Sequence, residues 1–333
     1  MIGETLTKQP KPRSTKMPKN TKLKPGKITL DTLVSDINFI IPPNIFQTML
    51  RHVRSANLEF WGMKKPRCFV RVMLLATIHH DSTLMGYQRF LRRFQLPFHI
   101  SDKSLAHNIR LVRATLASWA KENIEIGDWR DWNAAAREIE VPEDLKGTNL
   151  WMDSTDVPIQ KAHGMTAKSP EWSHKLGRVG RRYLVLADGD LYVRQVFGGY
   201  SPKLYDGHAT VFLKTWIEEH LNNGVIIADQ HFEWAAKRLD SIQFYTPIKS
   251  PPNPSHQTSL LNARVLTKKQ IDYNSSHSHL RARIEMLFGW VKNTFLCFSQ
   301  PFPEELEQLD LIFIYVIGIH NCLVRSRSNP LYF

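Results

Sequence analysis

The second half of the chain alternates strand-like and helical segments, and this order limits the fold more than any other feature. Val225–Ala228 is a short, uninterrupted apolar run, as expected of a strand buried inside a sheet. Other strands are predicted at 150–159, 183–187, 191–197 and 242–247, with Asp188-Gly189 as a hairpin turn, and helices at 209–221, 232–239, 275–295 and 304–325. The order predicts an α/β domain over residues 148–325.

Two aspartates lie on these predicted strands. Asp153 stands inside the first of them, and Asp229 directly follows Val225–Ala228. A carboxylate among apolar strand residues costs several kcal/mol, on the order of 2–7, unless it is paired or holds a metal ion. With a third carboxylate, Glu285, the set suits two Mg²⁺ or Mn²⁺ ions about 3.5–4 Å apart, an arrangement that serves attack on phosphodiesters.

Glu285 stands in a predicted helix that separates charged from apolar residues. At about 100° per residue, Arg281, Glu285 and Lys292 fall within an arc of about 40°. An adjacent arc of about 100° is apolar, so the helix is expected to pack on the sheet with this charged stripe at the edge. Asp156 is an alternative ligand to Asp153, but the two-residue period of a strand allows only one of them to face the site.

The first half of the chain is predicted to be helical from residue 29 to 130. Helices are indicated at 66–79, at 82–94 after the capping residue Ser82, and from Ser101 or Asp102 to about 123. This outline is typical of a helix-turn-helix, and the third helix carries polar residues suited to DNA. They are Lys103, Ser104, His107, Asn108, Arg110 and Arg113. The alternative is an ordinary helical bundle with a solvated basic face.

The net charge of +13 favours a polyanionic partner, nucleic acid first. Residues 1–28 hold eight Lys or Arg against Glu4 and predict a disordered basic tail, which serves solubility, nuclear import or DNA contact. The polar residues 131–147 predict a linker, and 326–333 a C-terminal tail. Three distant cysteines exclude a disulfide framework. The apolar run Leu311–Ile319 is shorter than the roughly 20 residues of a membrane span, so no membrane partner is expected.

Several motifs together resemble the DDE transposases of the PIF/Harbinger kind and their bacterial insertion-sequence relatives. They are Asp153-Ser154-Thr155-Asp156-Val157-Pro158-Ile159, Gly198-Gly199-Tyr200-Ser201-Pro202 with Asp206, Ala228-Asp229, Asn274 with His277, Arg281-xxx-Glu285-xxxxxx-Lys292, Phe288-Gly289 and His320-Asn321. The resemblance covers about 148–325, and the predicted helix-turn-helix lies upstream as in that family.

The resemblance implies a ribonuclease-H-like domain with a mixed sheet flanked by helices. Asp153, Asp229 and Glu285 would be the catalytic residues and would hold two Mg²⁺ or Mn²⁺ ions, while Arg281 and Lys292 would neutralise phosphate charge. The basic residues Lys161, Lys168, Lys175, Arg178, Arg181 and Arg182 would form the approach for DNA; the alternative is a solvated loop. The implied activity is cleavage of DNA phosphodiester bonds, with joining of the strands as a further step.

The implied partners are double-stranded DNA at transposon ends, further copies of the chain on that DNA, and a second DNA-binding protein encoded by the element. The expected location is the nucleus in a eukaryote and the cytoplasm otherwise. The main alternative function is a domesticated transposase that binds DNA without cutting it. A different two-metal nuclease on the same fold is a third interpretation.

Overall fold

The computed structural model describes residues 29–61, 68–94, 96, 98–160, 165–239, 241–249 and 266–326. The predicted basic tail 1–28 and all but one residue of the predicted tail 326–333 lie outside this part. The described chain begins with helices and continues into a mixed sheet with helices on both of its faces. The α/β class predicted from the sequence is confirmed.

The first part of the chain is helical, as the sequence predicts. Its helices are α1 Leu30–Ile40, α2 Pro43–Ser55, α3 Phe69–Thr83, α4 Tyr87–Arg93 and α5 Asp102–Lys121. Ser101 caps α5, because its side chain accepts a hydrogen bond from the amide of Ser104 at 3.1 Å. Ser82 was predicted to cap a helix but lies inside α3, where its hydroxyl donates to the carbonyl of His79. The break between α3 and α4 falls instead at Leu84, which adopts a left-handed conformation.

The segment predicted to be a linker, 131–147, contains regular structure, so that prediction is wrong in this respect. Helix α6 spans Trp129–Ala136, and a 3-10 helix follows at Glu143–Leu145. Asp128 caps α6, and the indole of Trp132 is buried and donates to the carbonyl of Ile126 at 2.8 Å. Because the segment is mostly polar, its composition does not indicate the short helix and its one buried face.

The sheet mixes antiparallel and parallel pairs. Its strands are β1 Leu150–Pro158, β2 Trp172–Ser173, β3 Arg178–Asp188, β4 Val193–Tyr200, β5 Val225–Ala228 and β6 Gln243–Tyr245. β3 is antiparallel to β1 on one side and to β4 and β2 on the other. β5 runs parallel to β1, and β6 runs parallel to β5. The hairpin at Asp188-Gly189 and the buried strand Val225–Ala228 are confirmed.

The two faces of the sheet carry separate cores. The remaining helices are α7 Asp206–Phe212, α8 Lys214–His220, α9 Glu233–Ala236, α10 Lys268–Thr294 and α11 Leu306–Arg325. Leu150 and Met152 pack with residues of α8 and α9, whereas Trp151 and Val157 pack with α10 and α11. The second core continues into the N-terminal helices, so one apolar cluster joins them to the sheet.

Helix α11 makes the main connection to the N-terminal helices by packing against α5. A Cβ on Gly318 would come within 2.5 Å of the Cβ of Ala120, so glycine allows the two helices to approach closely. α11 is long and apolar enough to cross a membrane by length and composition alone. Most of it is buried within the protein, which is typical of a core helix.

Candidate active site

Two of the predicted acidic residues directly follow paired positions of two parallel strands. Met152 on β1 lies opposite Ala228 on β5, and Asp153 and Asp229 are the next residues. Because neighbouring strands are about 4.8 Å apart, the two aspartates are neighbours at one edge of the sheet. Asp153 is only 5% exposed, whereas Asp229 is half-buried. The sheet thus brings together two carboxylates that are distant in sequence.

The carboxylate of Asp229 is held by the turn that it begins. Its Oδ1 accepts a hydrogen bond from the amide of His231 at 2.8 Å and caps the 3-10 helix Gln230–Phe232. Phe232 is fully buried and anchors this turn to the core below the sheet. The direction of the Asp229 side chain therefore follows from ordinary helix capping at the end of a strand.

Helix α10 places the third acidic residue beside the first. His277, Leu280, Ile284, Leu287, Phe288 and Val291 form its buried side. The indole of Trp151, two residues before Asp153, donates to the carbonyl of Leu280 at 2.9 Å and fixes the helix against β1. The predicted charged stripe of this helix consequently lies at the edge of the contact with the sheet.

Arg281 joins two of the predicted acidic residues. Its Nη1 donates to Oδ2 of Asp153 at 3.1 Å, and its Nη2 forms an ion pair with Oε1 of Glu285. Glu285 is half exposed, while Arg281 retains about a quarter of its exposure. One guanidinium therefore lies between the carboxylates of Asp153 and Glu285 and joins α10 to β1 at the edge of the sheet.

The charge of Asp153 is only partly compensated. Burial, together with the negative charge of Asp229, raises the net pKa of its carboxyl group to about 6. Lys175, the amide of Ser154 at 2.7 Å and Arg281 act in the opposite direction without outweighing these effects. An ionised Asp153 at neutral pH is thus short of positive charge around it.

Lys292, the last residue of the predicted stripe, also reaches this region. Its Nζ donates to the backbone carbonyl of Asp156 at 3.1 Å. Burial lowers the pKa of this amine, and the neighbouring charge of Lys175 lowers it further, against the attraction of Asp156 and Asp153. Lys175 is exposed. The two lysines place positive charge beside the acidic edge of the sheet.

The donors at this edge are suited to hard divalent cations, because all of them are carboxylate oxygens. The described residues contain no group of three or more His, Cys, Asp or Glu side chains arranged to hold a metal ion. Positive charge between Asp153 and Glu285 comes instead from Arg281. The donor chemistry and the raised pKa of Asp153 suit a divalent cation beside Asp153 and Asp229, while Glu285 is linked to Asp153 through Arg281.

Asp156, the alternative ligand, is engaged on the other side of β1. Arg182 donates to both of its carboxylate oxygens, at 2.6 and 2.9 Å, and the hydroxyl of Ser173 donates at 2.5 Å. Arg182 also contacts Asp206 at 3.0 Å. In the sequence, Asp206 stands out only through the resemblance, because an acidic residue after a hairpin has no pattern of its own that indicates a role at the site.

Only some of the basic residues predicted to contact DNA near the active site are free to do so in the structure. Lys168, Lys175 and Arg178 are exposed, as expected of a DNA-binding loop, whereas Lys161 lies outside the described residues. Arg181 donates to both carboxylate oxygens of Asp310, and Arg182 is engaged as above. The prediction that Arg181 and Arg182 contact DNA needs correction, because strand pairing directs both guanidinium groups to carboxylates of the protein.

Helix α5, the third helix of the predicted helix-turn-helix, likewise exposes only some of the residues predicted to contact DNA. Lys103 is exposed, and Arg110 is partly exposed with Glu304 and Glu305 at 3.9 and 3.7 Å. Arg113 is fully buried in ion pairs with Asp81 and Glu304, so its predicted contact with DNA is wrong. A helical wheel shows which residues share a face, but it does not show which face other elements cover.

Asn108, a predicted DNA-facing residue, and His277, a residue of the family motif, have partners within the protein. The amide of Asn108 is buried and makes two hydrogen bonds with the backbone of Trp61, at 2.8 and 2.9 Å. His277 is buried, and its Nε2 lies 3.2 Å from the carbonyl oxygen of Tyr245. His231 and His279 are exposed. These contacts give Asn108 and His277 roles in the fold.

Residues 152–321 match the family described as DDE superfamily endonuclease. The match covers slightly more than half of the chain and includes Asp153, Asp229 and Glu285. The chain therefore belongs to the DDE superfamily endonucleases. Domains of this family generally use divalent metal ions, and DNA is the substrate that the family implies. No curated protein and no solved structure matches the chain.

Proposed function

We propose that the protein is a DDE-type transposase of the PIF/Harbinger kind, which cuts DNA phosphodiester bonds with two divalent cations, Mg²⁺ or Mn²⁺. Asp153, Asp229 and Glu285 would be the catalytic residues and would hold the cations. The observation that carries the proposal is the meeting of two strand-borne aspartates with Arg281 and Glu285 at one edge of the sheet. The strand order supports a ribonuclease-H-like fold.

Each residue of the site has a task in this proposal. Bound cations activate an attacking oxygen and stabilise the leaving oxygen. Arg281 keeps Asp153 and Glu285 together, and the turn capped by Asp229 keeps that carboxylate at the end of β5. Lys292 and Lys175 supply positive charge toward a phosphate group near Asp153.

DNA binding is assigned to exposed basic residues of the loop beside β1 and of α5. Lys168, Lys175 and Arg178 lie on the loop and strand beside β1, while Lys103 and Arg110 lie on α5. The basic residues 1–28 add to this binding and to nuclear import. We further propose that the protein acts on transposon ends as an oligomer and with a second DNA-binding protein of the element.

The test is a cleavage assay on the ends of the element, with and without Mg²⁺ or Mn²⁺ and with the partner protein supplied. Asp229→Asn is expected to lower nicking by at least about 10³-fold while duplex affinity stays within about twofold. Asp36→Asn, a change at an exposed aspartate of α1, is the matched control and should cut as well as wild type.

Two results would contradict the proposal. Wild type without metal-dependent nicking on the correct ends would favour a domesticated protein that binds DNA without cutting it. Nicking by Asp229→Asn at the wild-type rate would show that the metal ligands lie elsewhere.

A further inference from the structure

Arg182 forms a buried connection between two elements that border the acidic edge. Its side chain is only 13% exposed. Nε and Nη2 donate to the two oxygens of Asp156 on β1, and Nη1 donates to Oδ1 of Asp206 at the start of α7. Nη1 also contacts the carbonyl of Leu204 at 3.2 Å. The guanidinium thus fixes β1, β3 and α7 relative to one another.

Asp206 has further partners at the site. Ser154, the residue after Asp153, has its side chain near this carboxylate and favours its ionised form. Burial raises the pKa of Asp206, Arg182 and Ser154 oppose this, and the negative charge of Asp229 raises it again. The charge of Asp229, one proposed ligand, therefore acts on Asp206, and Asp206 also lies near Ser154, the residue after Asp153.

Backbone packing places the start of α7 against the turn that Asp229 begins. A Cβ on Gly207 would lie 2.7 Å from the carbonyl oxygen of His231, so only glycine allows this contact. The amide of the same His231 is the group that Asp229 binds. A displacement of Asp206 would therefore reach Asp229 through this turn and Asp153 through Ser154.

We propose that Asp206 is a positioning residue of the cation site, an inference that rests on the proposed function. It does not touch the substrate. Held by Arg182, it fixes Ser154 and the turn at residues 230–232, so that Asp153 and Asp229 keep their places. Its negative charge also strengthens the attraction of the site for a cation. Hydrogen-bonded neighbours of ligands commonly change metal affinity by about 10–100-fold.

The experiment measures Mn²⁺ binding to the metal-free full chain by electron paramagnetic resonance, in the absence of DNA. Asp206→Asn is expected to weaken Mn²⁺ binding about tenfold. The matched control is Asp310→Asn, because Asp310 accepts hydrogen bonds from Arg181, the neighbouring residue on β3. That variant loses a comparable ion pair and should bind Mn²⁺ as wild type does.

A purely structural role for Asp206 predicts a different result, a lower melting temperature with unchanged Mn²⁺ affinity, and that result overturns the proposal. Should Asp206→Asn fail to fold, Ser154→Ala removes only the hydroxyl beside Asp206 and should still weaken Mn²⁺ binding about threefold. Unchanged Mn²⁺ binding by Ser154→Ala would also overturn the proposal. A wild-type chain that binds no Mn²⁺ overturns the proposed function as well, whereas equal binding by wild type and Asp206→Asn overturns this inference alone.

Discussion

Two arginines of the molecule each hold a pair of carboxylates, yet their surroundings differ. Arg113 on α5 binds Asp81 and Glu304, and Arg281 on α10 binds Asp153 and Glu285. Arg113 is fully buried, with additional contacts from neighbouring polar side chains, whereas Arg281 stands at an edge that is open to solvent. The same pairing of residue types is therefore closed to solvent around Arg113 and open to it around Arg281.

The pKa values of the two buried aspartates show what this difference means. Burial by itself raises the pKa of Asp81, but Arg113 and His80 outweigh it and hold the pKa below its usual value. The hydroxyl of Tyr315 adds a hydrogen bond at 2.5 Å. Asp153 keeps a pKa of about 6 despite Arg281. The closed network is satisfied by the protein itself, whereas the open cluster still lacks positive charge.

The largest expected effect separates the two arginines. Arg113→Met leaves Asp81 and Glu304 buried without their cation and should lower the free energy of unfolding by about 3–5 kcal/mol. Arg281→Met breaks partly exposed ion pairs and should cost less than about 1 kcal/mol. Urea unfolding of both variants measures the difference, and equal losses would show that the two networks are energetically alike.

A smaller effect of opposite sign is expected for the aspartates. Asp81→Asn weakens a satisfied network and should destabilise the protein by roughly 2–4 kcal/mol. Asp153→Asn removes an incompletely compensated charge and, in EDTA at pH 8, should stabilise the protein by about 1–2 kcal/mol. Thermal unfolding checks both signs. Destabilisation by Asp153→Asn in EDTA would mean that Arg281 compensates Asp153 fully.

The stabilising effect of Asp153→Asn should also depend on pH. The folded-state pKa of Asp153, about 6, lies above the unfolded value of about 3.9, so wild type loses stability as pH rises between these values. The difference between variant and wild type should vanish below about pH 4 and become constant above about pH 6. The difference between variant and wild type cancels the pH dependence that other groups contribute. One such group is Asp188, since burial raises its pKa to about 6 as well. A difference independent of pH would contradict the assignment.

The smallest expected effect concerns exposed basic residues. The double variant Lys175→Ala/Arg178→Ala removes two exposed charges and should weaken duplex binding several-fold. The slope of affinity against salt should fall by up to about 2, because fewer counterions are released. Arg181→Ala is the control, since Asp310 already holds that side chain. An unchanged slope in the double variant would place the DNA on another surface.

The sequence predicted the parts of the fold that depend on local pattern. Val225–Ala228 has the bounds of β5, and the charged stripe of α10 lies where its helical spacing placed it. The roles of Arg113 and Arg182 could not be predicted, because their partners are far away in the chain. Asp81 and Asp156 are 32 and 26 residues from them, and Glu304 is 191 residues from Arg113. Helical or strand periodicity gives a face, but tertiary packing decides whether a charge on it meets solvent or a carboxylate.

The buried side of α6 was missed for a related reason. Trp132 and Ala135 are its buried residues in a mostly polar segment, and a helix of that length shows little periodicity. Its packing against the hairpin, where a Cβ on Gly189 would meet the carbonyl of Ala135 at 2.5 Å, depends on the turn of another element. The buried side of α6 thus depends on a contact with a distant element, which the local sequence does not show.

The most direct test of the central claim is calorimetric titration of Mg²⁺ into the metal-free full chain. The claim is that the cluster of Asp153, Asp229 and Glu285 takes its missing positive charge from divalent cations, whereas the Arg113 network needs none. We expect wild type to bind Mg²⁺, Asp153→Asn to lose most of that binding, and Arg113→Lys, if folded, to retain it. Equal Mg²⁺ binding by wild type and Asp153→Asn would contradict the account.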